Sequence, residues 1–294
     1  MEIKNQYPTL DEYDASTIPL FGSILIFGKR RSGKGVWANY HIPRMITKHK
    51  WTNAHIFSPT CCLPEQEKND WRFIPKQNKH DTFNEEEIRS IVEKQKEDAI
   101  AWGKLSKDEQ KEKPQPRLLI IMDDLLAPNK KGDDGIFKSK TVSDMFVSGR
   151  HSFITVVCLL QSITSSVSTI SRKNTDLIVF FRSPSVSDIE ILARDYLYQP
   201  QKRLCDIKEF IHHSTLEKHS CLCINVTDGQ WARDWEDFVF VGTKHKPMKT
   251  CKQMIETLDV DYTSNPIVEI QEVEKQEFKS KGKKFRNKLG YFSC

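Results

Sequence analysis

Apolar positions along the chain fall into short continuous runs separated by polar stretches with helical spacing. Ser23–Phe27, Ala54–Phe57, Arg117–Met122, Phe153–Leu160, Leu177–Phe181 and Cys221–Val226 each read as a strand, and Phe238–Val241 as a possible edge strand. Runs without polar alternation mark strands buried on both faces. Between them, Lys34–Thr47 and Val186–Leu197 have helical spacing, with Pro43 predicting a kink or an early end of the first. Strands alternating with helices predict an α/β fold, with a mostly parallel sheet covered by helices on both faces.

The character changes between Thr60 and Pro116. Asn84 followed by Glu85, Glu86 and Glu87 carries a helix-start signature. Ile88, Ile91, Val92, Ala99 and Trp102 then form a rough apolar stripe, closed by Pro114 and Pro116. The expectation is an amphipathic helix inside a charged insertion, residues 60–116, that projects from the sheet edge. No internal repeat is visible. The predicted organisation is an N-terminal extension at 1–17, one large domain at 18–246 and a C-terminal extension at 247–294.

Charge changes this picture at one end only. Phe278–Cys294 holds Lys279, Lys281, Lys283, Lys284, Arg286 and Lys288 and no acidic residue. Removing them from the net charge of +5 leaves about −1 for the other 277 residues. The basic character is therefore a tail, read either as a solvated end or as a contact to nucleic-acid phosphates. No run approaches 18 apolar residues, so no spanning helix is expected. The start, Met1-Glu2-Ile3-Lys4-Asn5-Gln6, lacks a secretory pattern, and the 8 cysteines are expected as free thiols in a reducing compartment.

The chemistry is concentrated after the first strand. Gly28-Lys29-Arg30-Arg31-Ser32-Gly33-Lys34 fits G-x-x-x-x-G-K between a strand and a helix. Such a loop turns backbone N–H groups inward around phosphate oxygens, and the helix N-terminus favours negative charge. Lys34 is expected to bridge the β- and γ-phosphates, with Gly35 and Val36 completing the nucleotide-binding stretch. Position 35 departs from the pattern: a Ser or Thr hydroxyl there binds Mg²⁺ in other such loops, and this chain has Gly35. Two readings stand, a water in that coordination place or a site that binds nucleotide and hydrolyses it poorly.

Leu118–Met122 ends in Asp123-Asp124. A buried strand ending in two carboxylates places one at the metal and one at the attacking water. We assign Asp123 to Mg²⁺ and Asp124 to orienting or activating the water. Gln161, after the Phe153–Leu160 strand, would face the same crevice and sense the γ-phosphate or position water. Arg150 and Arg172 are the candidate arginine fingers, often supplied across a subunit interface, while Arg30 and Arg31 could act within the loop. The sequence cluster His212, His213, His219, Cys221 and Cys223 lacks a paired C-x-x-C and does not predict zinc. A guanine-specific reading fails, because Asn129-Lys130-Lys131-Gly132-Asp133 places the Asp one position late for N-K-x-D.

In this order the elements resemble the genome-packaging ATPases of large nucleocytoplasmic DNA viruses and virophages, a poxvirus-type branch of the FtsK/HerA superfamily. The residues that carry the resemblance are Gly28–Lys34, Leu119–Asp124, Ser148-Gly149-Arg150-His151, Leu160-Gln161-Ser162 and Arg172–Asp176 leading into Leu177–Arg182. It covers roughly Ile18 to Val241. It implies a RecA-like P-loop core, ATP with Mg²⁺, and a homo-oligomeric ring around double-stranded DNA. It further implies a capsid or portal-vertex partner and a place in the host cytoplasm, at the virus factory, or in the virion. With no base-reading motif, DNA binding is expected to be independent of sequence, and the Ser/Thr-rich Ser162–Lys173 segment is suited to phosphates. Two other classes compete: a nucleotide or small-molecule kinase, and a non-hydrolysing nucleotide-binding scaffold.

Overall fold

The apolar runs assemble into one eight-stranded sheet. In the computed structural model, residues 10–14, 17–62, 71, 73–125, 139–229 and 237–242 are described. The strands are β1 (Ser23–Phe27), β2 (Asn53–Phe57), β3 (Lys79–His80), β4 (Leu118–Asp123), β5 (Ile154–Leu160), β6 (Leu177–Phe181), β7 (Cys221–Asn225) and β8 (Val239–Gly242). Their order is β3-β2-β4-β5-β1-β6-β7-β8. The first six in that order run parallel; β7 and β8 are antiparallel additions beyond β6.

Continuous hydrophobicity follows from burial on both faces. Leu25, Ile120, Val156, Cys158 and Phe180 face one core, and Ile24, Ile26, Leu119, Ile121, Val157 and Val179 face the other. Successive residues alternate between the two, as the pleat requires. The second core is covered by α1 (Lys34–His49), through Trp37, Ala38, Ile42, Met45 and Ile46. Pro43 lies inside this helix and does not end it. Losing one helical hydrogen bond to proline costs about 3 kcal/mol or more. Burying each of Ile42, Met45 and Ile46 contributes about 1.5–3 kcal/mol, so the packed face outweighs the break.

The first core is covered by α2 (Glu85–Gly103), α4 (Lys140–Ser148), α7 (Val186–Asp195) and α8 (Leu204–Ser214). The short α3 (Lys107–Glu112) is closed by a capping box between Ser106 and Glu109. Asn84 caps α2 as expected, its side chain accepting from Glu86 N and Glu87 N. The helix does not project from the edge. Ile88 and Val92 enter the core, and buried Gln95 donates to Pro116 O (3.0 Å) and Ser152 O (2.8 Å), which fastens α2 across the sheet. An apolar stripe of that width is more stable against the sheet than in water, which corrects the expected projection. The same insertion supplies β3, paired to β2.

The Ser/Thr-rich segment Ser162–Lys173 contains two short helices, α5 (Ile163–Ser166) and α6 (Thr169–Lys173). A last turn, α9 (Val226–Gly229), follows β7. Residues preceding β1 also join the sheet: Tyr13 N donates to Val241 O (3.0 Å) and Val241 N to Asp11 O (2.9 Å). Asn129–Asp133 and the basic tail lie outside the described residues. Among those described, no helix is long and apolar enough to cross a membrane.

Candidate functional site

Because β4, β5, β1 and β6 run parallel, their carboxyl ends meet at one edge of the sheet, where open α/β sheets bind ligands. β5 is interposed between β1 and β4, so Gln161 emerges between the Gly28 loop and the Asp123-Asp124 pair. The loop is built tightly. Gly28 N donates to Leu160 O (3.0 Å) and Ser32 N to Lys29 O (3.1 Å). A Cβ on Gly28 would lie 2.5 Å from Ser32 Oγ and 2.7 Å from Phe181 Cβ, so no side chain fits there. Gly33, the N-cap of α1, has φ 117°, a conformation that glycine reaches without strain.

Lys34 opens α1 and is 8% exposed. Its Nζ donates to Gly28 O and, at 3.4 Å, to Lys29 O. Burial lowers its pKa, and the negative charges of Asp124 and Asp123 oppose that shift. The ammonium is therefore folded over its own loop, held by neutral carbonyls that an entering phosphate oxygen would replace with a charged acceptor. Ser32 Oγ is buried in this loop without a hydrogen-bond partner, an orphan that suits an oxygen-rich ligand.

Asp123 is the last residue of β4, in register with Leu159. Asp124 turns away at φ 50°, its N donating to Leu159 O (3.2 Å), and its Oδ1 accepts from Gln161 Nε2 at 2.6 Å. The structure thus brings Lys34, Asp123, Asp124 and Gln161 together. The two carboxylates beside the phosphate-binding loop offer hard oxygen ligands of the kind that suit Mg²⁺. That ion, when bound, would neutralise charge on the β- and γ-phosphates.

Nothing lies within 4 Å of a Cβ built on Gly35. Gly35→Ser is therefore expected to leave the melting temperature unchanged within about 2 °C, or to raise it slightly, since serine is the better helix former. Its hydroxyl is expected to lower the Mg²⁺ concentration required for half-maximal turnover. An unchanged Mg²⁺ requirement would show that water already fills that coordination place.

Arg150 and Arg172 are not brought to this edge. Arg150 lies exposed in the 3₁₀ turn Gly149–Ser152, before β5, and Arg172 in α6, before β6. Asn174, just beyond α6, accepts at its carbonyl from Ser23 Oγ (2.6 Å), at the amino end of β1. A seven-residue strand separates the two edges by about 20 Å. Neither arginine reaches its own phosphate loop; Arg30 and Arg31 are exposed at the loop's rim.

Three residues without a role in the sequence reading belong to the site. His219, expected as part of a weak His/Cys cluster, has Nδ1 2.9 Å from Ser32 O and props the phosphate loop from the β7 side. Among the described residues no group of three or more His, Cys, Asp or Glu could hold a metal. Arg182 leaves the carboxyl end of β6 and donates to Leu216 O at 3.5 Å. Between Lys29–Ser32, the residues Phe181, Arg182 and Pro184, and Leu216–Ser220 lies a cleft of about 490 Å³. Finally Asp188, 1% exposed, accepts at Oδ1 from Ser162 Oγ (2.8 Å), Ile163 N (3.1 Å), Thr164 N (3.3 Å) and Thr164 Oγ1 (3.2 Å). Its Oδ2 accepts from Ser183 Oγ (3.0 Å).

The fold is similar to EssC (ATPases 2 and 3) from Geobacillus thermodenitrificans, at 11% identity and a TM-score of 0.50, covering 87% of this chain and 45% of that one. The genome packaging NTPase B204 from Sulfolobus turreted icosahedral virus 2, in complex with AMPPCP, matches at 14% identity and a TM-score of 0.48, over 79% of this chain and 100% of that one. No curated protein matches the chain. The family model described as Poxvirus A32 protein matches residues 19–238, from the approach to β1 through the residue before β8. With well over half of its length in that match, and its phosphate loop, acidic strand end and Gln161 in one place, the chain belongs to the poxvirus A32 family of viral genome-packaging ATPases.

Proposed function

We propose that this chain hydrolyses Mg²⁺-ATP and uses the energy to move double-stranded DNA, without regard to sequence, into a preformed capsid. The observation that carries the reading is the convergence of Lys34, Asp124 and Gln161 at the carboxyl edge, with Gln161 holding Oδ1 of the carboxylate. Lys34 binds the β- and γ-phosphates. Asp124 Oδ2 takes the proton of the attacking water, and Gln161 fixes the carboxylate orientation that makes this possible. Asp123 holds Mg²⁺.

Arg150 and Arg172 lie at the amino edge, so either serves a phosphate only on a neighbouring copy, which favours a ring of subunits. DNA contacts fall to lysines, hydroxyls and backbone amides of the Ser162–Lys173 segment and to the basic tail. A capsid or portal-vertex protein is the docking partner, in the host cytoplasm or in the virion.

Phosphate release from Mg²⁺-ATP, measured with and without duplex DNA, tests the reading. Stimulation by DNA of any sequence, falling steeply with salt, is the expected result. Release indifferent to DNA would place the chain among other P-loop enzymes, and ATP binding without release would make it a scaffold.

A further inference from the structure

Beyond the carboxyl end of β2 the chain turns, and the turn carries two adjacent cysteines. Cys61 is buried, at 4% exposure, and Cys62 is exposed. Their Sγ atoms lie 3.6 Å apart. Both thiols face the two-residue edge strand β3: Cys61 Sγ donates to His80 O (3.5 Å) and Cys62 Sγ to Lys79 O (3.9 Å). The turn is pinned to the same strand by its backbone, since Ser58 N donates to His80 O (2.9 Å) and Cys61 N to Ser58 O (3.2 Å). We propose that Cys61-Cys62 is a reversible oxidation site, a dithiol that peroxide converts to a disulfide between adjacent residues and whose closure loosens β3.

The two sulfurs are unequal, which sets the order of steps. Burial and the neighbouring Cys62 thiol push the Cys61 thiol up to about 12, against the positive charge of Lys79, so Cys61 stays protonated. Exposed Cys62 is the sulfur that peroxide reaches. Its thiolate takes one oxygen from hydrogen peroxide, giving a sulfenic acid and hydroxide. The Cys61 sulfur then attacks the Cys62 sulfur, the S–O bond breaks, and the Cys61 proton leaves with the hydroxyl as water. Two thiols are oxidised to one disulfide, and one peroxide is reduced to two waters. The 3.6 Å separation is close to the ~3–3.5 Å of a near-attack geometry, so no distant partner has to be found.

Closure has a mechanical result. A disulfide bond is about 2.05 Å long, so the sulfurs draw together by about 1.5 Å. Both S–H donors to β3 are lost in the same step. The ties that remain on β3 include its pairing with β2, the stacking of His80 on Phe57 (4.4 Å) and the 2.9 Å contact of His80 Nδ1 with Glu87 Oε1 on α2. A ring closed through one peptide unit is tighter than ordinary disulfides, whose Cα atoms stand about 4.4–6.8 Å apart, so free thiols reopen it readily.

The test treats the full chain with hydrogen peroxide, alkylates the remaining thiols after unfolding, and maps the peptides by mass. The expected result is loss of alkylation at Cys61 and Cys62 together, in one peptide lighter by two hydrogens, with both thiols restored by dithiothreitol. Hydrogen exchange at the Ser58 amide, which donates to His80 O, is expected to quicken by about 3- to 10-fold in the oxidised chain, the span that one lost hydrogen bond gives. Cys62→Ser, at an exposed position, is expected to leave Cys61 fully alkylated after peroxide. Cys61→Ser is expected to send Cys62 on to sulfinic acid, which dithiothreitol does not restore. Sulfinic acid at Cys62 of the natural chain with Cys61 still alkylated, or a disulfide from either residue to another cysteine, overturns the pairing. A disulfide between the two that leaves exchange at Ser58 unchanged overturns the loosening of β3.

Discussion

Lys34→Ala is expected to lower ATP turnover by about 10²–10³-fold, the usual effect of removing one preorganised group from a developing charge. The size follows from where the ammonium sits. It is 8% exposed, it opens α1, and its reach is confined to the carbonyls of the loop it serves. Burial lowers its pKa, and the negative charges of Asp124 and Asp123 act against that shift. Lys34→Arg is not expected to rescue, because a planar guanidinium does not reproduce the compact ammonium that donates to Gly28 O. Steady-state phosphate release alongside the melting temperature decides it. Turnover within threefold of the natural chain, at equal stability, would remove Lys34 from the mechanism.

Asp124→Asn is expected to separate binding from chemistry. Asparagine retains an oxygen for Gln161 Nε2 and tolerates the left-handed φ of 50°, so the turn and the 2.6 Å contact persist. What is lost is the basic oxygen proposed to take the proton of water. Turnover should fall by about 10²–10⁴-fold while ATP affinity stays within about threefold. Asp124→Ala is the harsher change, since it also strips the partner from Gln161. A variant with Asn at 124 that still turns over at the natural rate would move the base elsewhere, with Asp123 the nearest candidate.

Much of this site was legible in one dimension. β1, β4, β5 and β6 are continuous apolar runs because both faces are buried, and a buried parallel strand writes no alternation to confuse the reading. The Gly28–Lys34 loop was legible because two glycines are required by contact and by φ. The positions of Arg150 and Arg172 were also written in the chain: each precedes its strand, and residues before a parallel strand sit at the amino edge.

Other parts had no local signature. His219 meets Ser32 across 187 positions, and only the antiparallel addition of β7 brings it there. Leu204–Ser214 packs as a helix through Ile207, Phe210 and Ile211, a short stripe hidden by the histidines that follow it. The apolar stripe of the insertion writes a helix, but nothing in its own sequence says that Gln95 will find Pro116 O and Ser152 O.

Asp188 carries a mechanical consequence. One buried carboxylate accepts from Ser162, Ile163 and Thr164 on one side and from Ser183 on the other. The first group adjoins Gln161, at the γ-phosphate flank; the second adjoins Arg182, at the opposite flank of the loop. Pulling either segment away would strand a charge in the interior, so the two flanks are stiffly yoked and shift as one body. A tug on the β5 end that carries Gln161 is thereby delivered, through a single side chain, to the β6 end that carries Arg182.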